Sequence, residues 1–218
     1  MSNNPKIMTI RTGILEENDR RAQILRRNFA KNKTTVINVV SSPGSGKTEL
    51  LTVVSRELIT KGLHVCAIVG DLSTDHDAKR LASSGAHTYQ INTHGACHLD
   101  ARMVKQGLKT LPWRDADILF IENVGNLVCP ASYDLGETKR MVLMAVTEGE
   151  DKPLKYPTMF HSADICVISK IDLASVAEFD EQKAIQNIYD VNPDILIVKT
   201  SAKKRIGIEE LVTNLLAK

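Results

Sequence analysis

The chain has 218 residues, 43% hydrophobic and 25% charged, with a formal net charge of +2. That length can bury a sizeable core, most simply as one α/β unit, and near-neutrality excludes a general attraction to nucleic acid. No stretch approaches the roughly eighteen consecutive apolar residues of a membrane span, and the start MSNNPKIMTIRTG lacks the apolar centre of a signal peptide, so a cytoplasmic protein with no membrane or nucleic-acid partner is expected.

Leu15, Ala22, Leu25 and Phe29 recur at helical spacing and predict an amphipathic N-terminal helix within an extension over 1–33, ahead of a main domain over 34–218. Between Arg11 and Lys33 seven Lys or Arg stand against three Asp or Glu. This basic face is either solvated, with the helix laid across the main domain, or a docking surface. Next, TTVINVVSS reads as a strand, KTELLTVVSRELITKG as a helix closed by Gly62, and LHVCAIVG as a second strand: a βαβ unit with a right-handed crossover. Further strands are predicted at AHTYQIN, ADILFIEN, ADICVISK and DILIVKT, with helices near His98–Leu108, Val176–Tyr189 and Ile208–Leu216. TEGEDKPLKYPTM reads as a long surface loop. The expected fold is α/β, a single P-loop NTPase domain with a doubly wound, mostly parallel sheet and helices on both faces.

The turn SSPGSGKTEL after the first strand is a P-loop. Gly44 and Gly46 let backbone amides face phosphate oxygens, Ser45 and Glu49 flank them, Lys47 reaches the terminal phosphates, and Thr48 offers a hydroxyl to magnesium. Ser41 stands where the strict pattern has its first glycine. Ser42 occupies the place where deviant-type ATPases carry a signature lysine, which argues against that class. A hard octahedral cation needs further oxygen ligands, and Asp71 and Glu122 lie at strand ends on the edge where open α/β sheets bind ligands. Gly125 follows Glu122 as E-x-x-G, placing its amide to sense a γ-phosphate. In VISKID, Lys170 and Asp172 have the spacing of the guanine signature. A carboxylate there accepts from the N1–H and exocyclic amine of guanine, a donor pair adenine lacks. Ser201, Ala202 and Lys203 supply a second loop for the base carbonyl, so the expected ligand is GTP or GDP. No glutamine stands ready to orient water, so turnover should be slow.

SSPGSGKT, GDLSTDHDAKRL, THGACHLDA, ENVGNLVCPA and SKIDL together resemble the hydrogenase nickel-incorporation GTPases, the HypB family, over roughly Lys33 to Lys218. The resemblance implies a SIMIBI-type GTPase and metallochaperone that helps load nickel into the large-subunit precursor of [NiFe] hydrogenase. It also implies a nucleotide-governed homodimer, a HypA-type accessory partner that meets the N-terminal region, and a metal site at Cys97, His98 and Cys129. Thiolate and imidazole suit Ni2+ and Zn2+, and a helix N-terminus would favour the Cys97 thiolate. Side chains of helical neighbours diverge by about 100°, so Cys97 and His98 share an ion only near the helix start. Three ligands leave a tetrahedral ion incomplete; water or a second subunit would complete it. Cys129 lies close after Gly125, so γ-phosphate loss could move a metal ligand, GTP setting retention and GDP transfer. Cys66 and Cys166, inside apolar strands, are expected in the core. His94 is expected in a loop or cap, His76 solvated and Trp113 packed at a loop. Residues 1–35 contain neither Cys nor His, so no high-affinity nickel store is expected there. Two alternatives stay open: a urease accessory GTPase, whose metal pair is Cys-x-His, and a non-catalytic nucleotide-sensing metal binder.

Overall fold

The computed structural model describes residues 5–71 and 76–217, with the side chains of the first helix described from Gly13 on. Strands β1 (Thr35–Ser41), β2 (Val65–Asp71), β3 (His87–Asn92), β4 (Ile118–Glu122), β5 (Lys139–Ala145), β6 (Ile165–Ser169) and β7 (Leu196–Lys199) form one sheet in the order β3-β2-β4-β1-β5-β6-β7. Every pairing is parallel. The inner strands are predominantly apolar because helices cover both faces, with Asn38 in β1, Glu122 in β4 and Arg140 in β5 as buried exceptions. Alternation along β1 sends Ile37 and Val39 toward α2 (Lys47–Thr60) and α8 (Ile208–Leu216). Val36 and Val40 go to the other face, under α1 (Pro5–Asn32), α4 (Ala101–Gly107) and α6 (Pro157–His161).

Several elements differ from expectation. β5 was not foreseen, nor was α3 (His76–Ala82). The expected loop over 147–159 instead carries α5 (Lys152–Lys155) and the start of α6, with Met159 and Phe160 fully buried. Each prolyl residue, Pro153 and Pro157, sits in the first turn of its helix, where its missing N–H leaves no intrahelical bond unmade. The helix expected from Val176 is α7 (Glu181–Val191), which starts behind Asp180, whose side chain accepts from Lys183 N. The helix expected from His98 starts at Ala101, behind Asp100, whose side chain accepts from Met103 N. Within GDLSTDHDAKRL, residues 72–75 lie outside the described residues, as do residues 1–4 of the expected extension.

α1 lies across the main domain. Ala22, Leu25 and Phe29 are buried, and the buried Trp113 packs edge-on against Phe29 at 5.3 Å from a one-turn 3-10 helix. The buried Asn18 donates to Asp134 O at 2.9 Å and accepts from Ala101 N at 2.9 Å, tying α1 to the start of α4. A Cβ on Gly136, at φ +80°, would come within 2.7 Å of Ala22 O, so this approach of backbone to helix needs glycine. Arg20, Arg26 and Arg27 face solvent, Arg26 pairing with Asp134 at 2.6 Å.

Candidate nucleotide and metal site

β1, β4 and β6 deliver their C-terminal ends to one edge of the sheet. After Ser41 the chain turns through Gly44 (φ +76°) and Gly46 (φ +94°) into α2. Gly46 caps that helix with no side-chain acceptor, which leaves the first amides of α2 turned to the crevice. Ser41, buried where the strict pattern has glycine, accepts from Lys47 Nζ at 2.9 Å and from the Ser45 hydroxyl. Burial holds the Lys47 ammonium below the usual lysine range, an effect opposed by the nearby Glu122.

Glu122, 3% exposed, accepts from Thr48 Oγ1 at 2.6 Å through Oε1, while its buried Oε2 has no partner. Desolvation pushes its carboxyl up to about 7 against the pull of Lys47 and the Thr48 hydrogen bond. An orphaned carboxylate oxygen beside a P-loop hydroxyl makes a pair of hard oxygen donors that fits a hard divalent cation. A cleft of about 490 Å3 contains Lys47, Thr48, Asp71, Asp77, Glu122 and Gly125 together. Gly125 presses on the P-loop: a Cβ there would lie 3.1 Å from Pro43 Cα.

At the base end, Ser169, which stands in the asparagine position of the guanine signature, donates to Ser45 O at 2.8 Å. Lys170, in the left-handed region at φ +59°, donates from Nζ to Gly44 O at 2.7 Å. The base segment is thereby tied to the phosphate loop. A cavity of about 430 Å3 is lined by Ser169, Lys170, Asp172, Ser201, Ala202 and Lys203, with Asp172 exposed at its edge. The Ser201 amide, expected to be free for a base carbonyl, is instead committed to Ile206 O at 3.1 Å. Gly46, Glu49, Arg80 and Lys170 line both spaces, which makes them one trough. Arg80 was not singled out by the sequence; its signal was a cation one helical turn beyond the acidic Asp77.

Cys97, His98 and Cys129 form one cluster whose ligand atoms all lie within 4.8 Å of one another. Cys97 Sγ is 2.7 Å from Cys129 Sγ and 3.6 Å from His98 Nδ1. Cys97 and His98 precede α4 in irregular backbone, which lets adjacent side chains converge as a regular helix would not. The expected lowering of the Cys97 thiol by a helix dipole does not occur. Its hydrogen bond with Cys129 holds the thiol above its usual value, and the residue stands clear of the first helical turn. Burial lowers His98, favouring the neutral imidazole that ligates metals, and its ring stacks on Tyr133 at 3.8 Å. His94, exposed with φ +49°, caps a loop through its amide to Asn92 Oδ1 and lies outside the trio; His76 is exposed at the start of α3. Cys66 and Cys166 are buried in β2 and β6, and desolvation pushes the Cys66 thiol up to about 11.

Two asparagines unforeseen in the sequence join these parts. Asn123 Oδ1 accepts from Leu99 N at 3.0 Å, and Asn126 donates to Cys97 O at 3.2 Å while accepting from Val128 N at 2.9 Å.

Residues 35–199 match the CobW/HypB/UreG nucleotide-binding domain. The chain is similar to the hydrogenase maturation factor HypB of Azotobacter chroococcum, 47% identical over 205 residues that cover 94% of this chain and 67% of that protein. It is similar to the hydrogenase/urease maturation factor HypB of Helicobacter hepaticus, 42% identical over 219 residues covering 97% and 89%. Among solved structures it resembles HypB from Helicobacter pylori in complex with nickel, with TM-score 0.87 and 40% identity over 92% of this chain and 94% of that one.

Proposed function

We propose a function from one premise: the chain belongs to the HypB family of hydrogenase maturation factors, within the CobW/HypB/UreG nucleotide-binding class. It is a GTP-hydrolysing metallochaperone that carries Ni2+ or Zn2+ on Cys97, His98 and Cys129 and delivers nickel to the large-subunit precursor of [NiFe] hydrogenase. It works as a homodimer, with a HypA-type protein docking on or beside α1. The observation that carries this reading is continuity of backbone: the segment that packs Gly125 on the P-loop runs directly to Cys129, whose sulfur meets Cys97 at 2.7 Å.

In this reading Lys47 neutralises the β- and γ-phosphates, while Thr48, Glu122 and Asp71 hold magnesium directly or through water. The amides of Gly44, Ser45 and Gly46 cradle the phosphates, with Glu49 beside them. Lys170 and Asp172 grip guanine, with Ser201, Ala202 and Lys203 beneath it. When bound, Mg2+ offsets charge on the phosphoryl group in transfer. A positioned water attacks the γ-phosphorus, the bond to the β-γ bridging oxygen breaks, and phosphate leaves with GDP. No side chain is assigned as general base, which fits slow turnover. A urease precursor as acceptor is the second reading, favoured by the name of the Helicobacter hepaticus relative.

The test measures nickel and zinc content and dimer fraction for the wild type and Cys129→Ala, with GDP and with a non-hydrolysable GTP analogue. The reading expects metal loss in the variant and a nucleotide-dependent dimer fraction and metal affinity in the wild type. Equal values of both in the two nucleotide states would remove the coupling.

A further inference from the structure

We propose that Asn126 is the positioning residue through which nucleotide state reaches the metal ligands; this deepens the metallochaperone reading and rests on it. Beside the contact between their own sulfurs, the two ligand-bearing segments, Cys97–His98 and Cys129, are joined in two further ways among the described residues. One joint is buried: Leu99 N donates to Asn123 Oδ1 at 3.0 Å, Asn123 Nδ2 to Asn38 Oδ1 at 3.3 Å, and Asn38 Nδ2 to Glu137 Oε1 at 3.1 Å. Arg140 then bridges Glu137 at 2.8 Å and Tyr133 O at 3.1 Å, and the Tyr133 ring stacks back on His98. All four polar side chains of this joint are buried. Breaking any link would strand a desolvated group or charge, so the joint holds in either nucleotide state.

The other joint is Asn126 alone. Its single amide group donates to Cys97 O at 3.2 Å and accepts from Val128 N, next to Cys129, at 2.9 Å. One planar group thus sets the spacing between the backbones that present two of the three ligands. Both bonds are neutral and near solvent, where water replaces a lost partner at little cost. Asn126 also follows Gly125, which lies against the P-loop closely enough that a Cβ there would come within 3.1 Å of Pro43 Cα. A γ-phosphate that draws or displaces the Gly125 amide therefore moves Asn126 with it. β4 divides the labour by its alternation: Glu122 points to Thr48 on the nucleotide face, and Asn123 points to Leu99 on the other. The buried joint is the fixed frame, and Asn126 is the part free to reset.

The experiment measures Ni2+ and Zn2+ affinity by competition with a chromophoric chelator, in GDP and in a non-hydrolysable GTP analogue, for the full chain and for N126A, N126D and C129A. N126D keeps an acceptor for Val128 N and loses the donor to Cys97 O. The wild type should show at least about a fivefold ratio of affinities between nucleotide states, the lower bound of ordinary coupling. Both Asn126 variants should bring that ratio to within about twofold of one, a coupling too small to count, while the melting temperature stays near wild type. N126A and N126D retaining the wild-type ratio would overturn the proposal, and so would a loss of affinity shared equally by both nucleotide states. If N126A fails to fold, the nearly isosteric N126D decides between these outcomes. A wild type that binds metal at Cys129 without any ratio would instead overturn the coupling itself, and a wild type whose affinity C129A leaves untouched would overturn the metal site.

Discussion

The phosphate cradle and the sulfur–imidazole trio meet at the end of one strand and are held in opposite ways. Glu122 is 3% exposed, with one carboxylate oxygen unsatisfied, whereas Cys97 is exposed and His98 and Cys129 are half-buried. An unpaired buried polar group costs about 1–3 kcal/mol, so the cradle carries an unmet hydrogen-bonding demand at Glu122. The trio waits in contact with water at small cost. In the proposed function, retention of nucleotide draws on desolvation, whereas a cargo site must let its ion leave. In that reading the two regions differ as a fixture differs from a transfer point.

The largest expected effect tests the cradle's half of that contrast. Burial raises the Glu122 carboxyl from 4.5 to about 7 in the folded chain. A raised folded value gives stability that is complete below the unfolded value and is lost as pH climbs through 7, so charging Glu122 costs the nucleotide-free fold about 3 kcal/mol. Glu122→Gln removes that cost. The melting temperature of the variant relative to wild type should therefore rise by roughly 5–10 °C between pH 5 and pH 8 without nucleotide. With Mg2+ and GDP the order should reverse, because the wild-type carboxylate then gains its partner. Parallel pH profiles for the two proteins would place Glu122 in contact with water and dissolve the contrast.

A smaller effect is expected at the base end, where exposure resembles that of the trio. Asp172 is exposed in the free chain, so Asp172→Asn should leave the nucleotide-free melting temperature alone. Its loss appears on binding: charge-assisted hydrogen bonds worth about 1.5–3 kcal/mol translate to a GTP affinity weaker by about 10- to 100-fold. Xanthosine triphosphate, with a carbonyl where guanine has its exocyclic amine, should bind the variant better than the wild type. Unchanged GTP affinity by titration calorimetry would mean that this carboxylate does not read the base.

The same contrast governs how much the sequence disclosed. The P-loop is contiguous, its glycines and Lys47 standing in fixed order, and the strands that position it are apolar on both faces. The trio is assembled across 32 residues between Cys97 and Cys129, and no periodicity links those positions; only resemblance to a family pointed to them. β5 escaped notice because KRMVLMA opens with two cations. Arg140 is nonetheless buried there, satisfied by Glu137, Ser162 and the carbonyls of Ala131 and Tyr133. Partners supplied by irregular loops, three to 22 residues away, cannot be read from composition. Asn123 and Asn126 were invisible for the same reason, since their roles exist only once loops from two strands meet.

The smallest effect sharpens the trio's half. Tyr133 stacks on His98 at 3.8 Å and 27°, while its backbone carbonyl stays held by Arg140 at 3.1 Å. Tyr133→Leu should therefore keep the loop in place and remove only the ring contact, worth about 0.5–1.5 kcal/mol, which is about a 2- to 10-fold loss of Ni2+ or Zn2+ affinity. Burial is what holds His98 below the usual histidine range. Opening it to water raises its pKa, so protons compete better with metal and the loss should be greater at pH 6 than at pH 8. A loss identical at the two pH values would assign the whole effect to the ring contact. A loss beyond about 100-fold, more than outer-shell substitutions ordinarily cause, would show the trio to be as rigidly built as the cradle.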